Sequence, residues 1–261
     1  MHSENSEGLA KPATTTTESK IKPTSPEHSL VWDVPTRAFH WLLVLSLCGS
    51  WATAEAGLDW ADTHNLFGYF ALGLVTFRIL WGLFGTRYAR FAHFITGPRR
   101  VMRSARGLFN RAPSHALGHT PIGGWSILLC LVLVAIQALS GLFISDDIFH
   151  AGPYNAAISS HLAGRLAYVH NLNFMALQAF AVVHVAAIAW YHFGKRSPLV
   201  GAMWHGRKPL DPTTTASAPT AAAGITSSLG IRALVLILLC VLVVTAVVQF
   251  APEPALGDFN F

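Results

Sequence analysis

Five apolar runs of near-membrane length dominate the chain, at about residues 34–54, 64–84, 122–145, 165–193 and 231–250. A bilayer core of about 30 Å takes about twenty helical residues to cross. In lipid every backbone N–H and C=O must be satisfied within the protein, which leaves helices and closed barrels. The runs are continuously apolar and lack the strand-like alternation of a barrel. Only 12% of the residues are charged, against 52% hydrophobic. The expected fold class is therefore all-α, a polytopic membrane protein.

The segments between the runs set the organisation. Residues 1–30 are rich in Thr, Ser, Pro, Lys and Glu and hold no apolar core, so they read as a disordered tail, with no signal-peptide h-region. Residues 31–200 carry the first four runs. Residues 201–230 form a low-complexity linker of Pro, Thr, Ala and Ser. Residues 231–261 are a fifth, C-terminal transmembrane helix and a short tail.

Charge chooses the orientation. With five spans the termini lie on opposite sides. The loop after the second run holds seven arginines: Arg87, Arg90, Arg99, Arg100, Arg103, Arg106 and Arg111. The loop after the fourth adds Lys195, Arg196, Arg207 and Lys208. The opposite side keeps Arg165 among Glu55, Asp59, Asp62, Asp146, Asp147, Glu253 and Asp258. The positive-inside rule thus puts the amino terminus on the cytoplasmic side and the carboxyl terminus outside. Because the basic residues flank spans, the net charge of +5 gives no nucleic-acid partner; the expected surroundings are membrane lipid. Trp32, Trp60, Trp125 and Trp204, near span ends, read as an aromatic belt.

Cys48, Cys130 and Cys240 sit inside apolar runs without CxxC spacing, and read as small packing residues. The histidines are more informative. Of the thirteen, His2 and His28 fall in the tail, His93, His115, His119 and His205 in inner loops, and His150 and His161 in an outer loop. These read as solvated. Four remain at membrane depth. His170 and His184 share the fourth run, fourteen residues apart, or about 21 Å along a helix and close to four turns, so they share a face. The first run enters from inside, placing His40 at the inner level, and the second from outside, placing His64 at the outer level. Depth alone pairs His40 with His184 and His64 with His170. His192, beside "GKR", reads as interfacial.

Paired imidazoles on facing helices, with no cysteine nearby, suit bis-histidine sites for non-covalent heme b. Gly68, one turn from His64, leaves room for a flat ring. Arg78, fourteen residues after His64, returns to the inner level, where a heme propionate would serve as its anionic partner. Arg37, one turn before His40, is placed to do the same.

Four stretches then carry a resemblance: "VWDVPTRAFHWLLVLSL", "HNLFGYFALGLVTFRILWGLFGTRYARF", "LGHTPIGGWSILLCLVLVAIQALSGLF" and "VHNLNFMALQAFAVVHVAAI". In order and spacing, over about residues 31–200, they resemble the bacterial cytochrome b561 family, which includes the b-type cytochrome subunits of nickel–iron hydrogenases. The resemblance implies a four-helix heme-binding bundle in which histidines of the first, second and fourth helices hold two heme b groups. By motif these are His40, His64, His170 and His184. It also implies electron exchange with membrane quinone, as substrate, and with an oxidoreductase subunit or other electron carrier. The fifth helix lies outside it.

The function expected is transmembrane electron transfer in a respiratory chain. The acidic outer face suits a basic periplasmic c-type cytochrome. Two other classes fit the ionisable residues taken alone: a transporter using membrane histidines for protons or metal, and an anchor whose fifth helix docks a partner subunit.

Overall fold

The computed structural model describes residues 28–108, 118–145, 150–209 and 227–252. They form eight α-helices and one two-stranded ribbon. The strands are β1 (His28–Leu30) and β2 (Arg207–Pro209). The helices are α1 (Val34–Ala56), α2 (Ala61–Phe84), α3 (Phe91–Phe94), α4 (Pro98–Arg106), α5 (Pro121–Gly141), α6 (Ser160–Ala189), α7 (Leu199–His205) and α8 (Ser227–Gln249).

Helix starts follow from local chemistry. The carboxylate of Asp33 accepts from Thr36 N at 2.7 Å, with Pro35 in the first turn. Thr120 caps α5 in the same manner, ahead of Pro121. Ser159 caps α6. A capping oxygen satisfies one of the orphan N–H groups, and proline loses nothing at the first turn. At its far end α6 widens into a π-turn, Trp190–Gly194.

α2 is the central helix. It packs along α1, α5 and α8, while α6 packs on α5. Phe39 and Leu43 of α1, Leu74, Val75, Phe77 and Trp81 of α2, Leu131 and Val134 of α5 and Leu177 of α6 form one apolar core. Ala233 and Cys240 of α8 belong to the same core, so the last helix packs onto the bundle. α6 leaves Tyr168, Val182 and Val183 exposed, as suits a helix facing lipid.

Among the described helices, four are long and apolar enough to cross a membrane: Leu58–Phe84, Pro121–Gly141, Ser160–Gly194 and Leu229–Gln249. The first of the five expected runs, now α1, is 23 residues long, or about 35 Å, but is not among them. Arg37, His40, Ser46, Ser50, Thr53 and Glu55 lower its apolarity. Several of these have partners inside the bundle: Ser46 Oγ donates to Phe67 O at 2.9 Å, and Thr53 Oγ1 to Gly49 O at 2.8 Å.

The end of the bundle that carries β1 and β2 departs from the sequence reading in two places. Residues 1–27 and 210–226 lie outside the described residues, but the last three residues of the expected tail form β1, and the start of the expected linker forms α7 and β2. Leu30 pairs with Arg207 and His28 with Pro209. Gly206 makes this closure possible: its φ is +80°, and a Cβ there would stand 2.6 Å from the Trp32 carbonyl oxygen. Trp32 consequently lies buried with Val31 and Ala202 and is not part of an aromatic belt. Trp60, Trp125 and Trp204 are exposed as expected.

Candidate functional site

α2 and α6 bring His64 and His170 face to face. Their ring centroids are 6.4 Å apart and their planes 65° apart. Both line a cleft with Leu47, Ser50, Gly68, Gln137 and Gly141. A Cβ built on Gly68 meets nothing within 4 Å, so this turn of α2 leaves open space beside the rings. Each imidazole is held by its Nδ1. That of His64 lies 2.9 Å from Ser50 O of α1, and that of His170 lies 3.0 Å from Ser140 Oγ of α5. Nε2 is left as the free ring nitrogen of both. Asn173, one turn along α6, donates to Leu133 O at 2.9 Å and to Gln137 Oε1 at 2.6 Å, which fixes the rotation of α6 against α5.

At the other level His40 and His184 lie within electrostatic range of each other. The Nδ1 of His40 is buried without a hydrogen-bond partner. His184 stacks on Phe180, at 6.0 Å between centroids and 14° between planes. His40 thus has less internal support than His64 and His170 receive. Among the described residues, no group of three or more His, Cys, Asp or Glu converges to hold a metal ion; the histidines come in pairs.

The family model for prokaryotic cytochrome b561 matches residues 31–206, which takes in both pairs. The chain belongs to the prokaryotic cytochrome b561 family. No curated protein and no solved structure matches it. As a cytochrome b561 it is a multi-pass membrane b-type cytochrome of electron transfer, in a family that binds heme b.

At the His40–His184 level, this cytochrome b561 shows residues that sequence reasoning missed. Asp33 is buried, and besides capping α1 it accepts from Trp81 Nε1 at 3.1 Å and from Thr86 Oγ1. Arg78 is only 2% exposed. Its guanidinium lies over the rings of Phe91 and Phe94, at 5.0 and 5.8 Å from their centroids, with Asp33 as the neighbouring anion. Its Nη1 has no hydrogen-bond partner. Arg37 donates from Nη1 to Trp204 O, so it ties α1 to α7. His119 is not a solvated loop residue. It is wedged between Trp32 and Phe94, with centroids 4.2 and 4.6 Å away, and burial beside Arg78 and Lys208 pushes its imidazole down to about 3. The signal available for it was the "GHTP" turn, where a histidine next to a helix cap is committed to the fold. His192 is exposed.

Proposed function

We propose that this cytochrome b561 carries two heme b groups and moves electrons across the cytoplasmic membrane between quinone and a partner electron carrier. The observation that carries the reading is the His64–His170 pair. An imidazole–metal bond is about 2 Å, so two rings flanking one iron have centroids roughly 6 Å apart, matching the 6.4 Å observed. Both Nδ1 atoms have partners within the chain, which leaves each Nε2 for the iron. Gly68 opens the slot a flat macrocycle needs.

Bound heme b supplies a one-electron iron couple. The chain's own residues do the rest. His64 and His170 would hold the outer group, and His40 and His184 the inner one. The unpartnered Nη1 of Arg78 suits a propionate, with Asp33 balancing the remaining charge. Arg37, one turn below His40, keeps its Nε free of partners and is placed for a second propionate. The core of α2 and α5 excludes water between the two levels.

α1 completes a fifth span by turning its polar residues onto α2 and the histidine pairs. Five spans put the arginine-rich loop and the amino terminus in the cytoplasm and the carboxyl terminus outside. The acidic residues Glu55, Asp59 and Asp62 then face the periplasm, where a basic c-type cytochrome would dock. Pairs of histidines favour heme over a divalent metal in transport, because a closed zinc site takes four ligands. Anaerobic addition of a quinol to the purified protein tests the coupling. Reduction of the b-type absorbance within seconds supports it, and a spectrum that stays oxidised while dithionite reduces it would remove quinone from the account.

A further inference from the structure

Ser140 is buried on α5, facing His170. Its Oγ lies 2.6 Å from Ile136 O, 3.1 Å from Gln137 O and 3.0 Å from His170 Nδ1. A serine hydroxyl has one hydrogen and two acceptor lone pairs. Carbonyl oxygens only accept, so the short contact to Ile136 takes that hydrogen. Toward the imidazole the Ser140 oxygen is then left as an acceptor, and Nδ1 of His170 must carry the ring proton. The ring is thereby fixed as the tautomer with a bare Nε2. His64 reaches the same tautomer by another route, since Ser50 O, a main-chain acceptor, faces its Nδ1 at 2.9 Å. Among the described residues Nδ1 of His40 has no such partner. The outer pair is set in advance, on the α6 side by the Ser140 hydroxyl together with the main chain of Gln137.

We infer that Ser140 is a positioning residue that fixes the tautomer and the donor strength of His170, and so sets the reduction potential of the outer heme. The inference rests on the reading of His64 and His170 as axial ligands. An acceptor on Nδ1–H pushes electron density toward Nε2, which strengthens it as a ligand, favours the oxidised iron and lowers the potential. Removing the acceptor weakens the ligand without removing it.

The test uses the full-length, heme-loaded protein in nanodiscs. In S140A both hemes are expected to remain by pyridine hemochrome. One of the two midpoint potentials should rise while the other holds, and one low-spin EPR signal should shift. S140T, which keeps the hydroxyl, should return all three readouts to wild type. Loss of one heme in S140A with retention in S140T would support the same role. Unchanged potentials and EPR in an S140A protein that holds both hemes would overturn the inference, as would S140T behaving like S140A. H170A separates the underlying reading: if both hemes persist in it, the ligand assignment falls and the inference with it.

Discussion

Asp33 draws the start of α1, the end of α2 and the turn at Thr86 onto one carboxylate. Asp33→Ala removes a helix cap worth about 1 kcal/mol and leaves the buried Trp81 donor unpaired at about 1–3 kcal/mol. A loss of about 2–4 kcal/mol is expected, read as a lower midpoint in thermal unfolding in detergent, with Asp33→Asn recovering part of it. His119 gives a pH-dependent counterpart. An unfolded histidine titrates near 6.5 and the native one near 3, so between these values the unfolded chain binds a proton that the native chain does not. Stability therefore falls as pH drops below about 6.5, by up to about 1.4 kcal/mol per unit from this group, and is flat with respect to it above 7. His119→Leu should lose that component; a stability difference between wild type and variant that stays constant from pH 7 to 5 would contradict it. The four paired histidines were legible in the sequence because helical spacing converts directly into depth. Ser50, Ser140, Asp33 and His119 were not, since each acquires its role from a partner fourteen to fifty-three positions away or from rings on other segments.

The long helices were legible for the same reason that makes membrane segments readable: continuous apolarity at a fixed length. Their starts agree with the sequence wherever a cap and a proline mark them, as at Asp33–Pro35 and Thr120–Pro121. α6 begins five residues before its expected start because Ser159 caps it ahead of the apolar run. β1, α3, α4, α7 and β2 carry no such signature; they are short, and β1 exists only by pairing with β2. Close packing of α5 on the inner loop depends on Gly124, where a Cβ would lie 2.7 Å from Phe94 O. A backbone carbonyl there has less freedom to yield than a side chain. Gly124→Val should therefore cost about 1–3 kcal/mol by overpacking and displace Trp125, whose Nε1 donates to Thr96 O at 2.9 Å. Thermal unfolding and tryptophan fluorescence would record both, and an unaltered midpoint would mean that α5 and α3 are not packed backbone to side chain as described.

α8 shares the core built on α2, so the last helix is part of the bundle it was expected merely to follow. The fold of the molecule then turns on α1, whose Ser46 and Ser50 meet α2 and whose Arg37 meets α7. An alkaline phosphatase fusion at the carboxyl terminus should be active and a green fluorescent protein fusion dark, because the five spans proposed above would export that end; the opposite pattern would leave α1 outside the membrane and the count at four. Family membership makes the molecule a b-type cytochrome, and the two histidine pairs make it, in this account, one that holds two hemes at two depths. Heme stoichiometry across single-histidine variants tests that claim most directly. Pyridine hemochrome of the purified wild type should give two hemes per chain, and His40→Ala, His64→Ala, His170→Ala and His184→Ala should each give one. A wild type with a single heme, or any of the four variants retaining both, would contradict it.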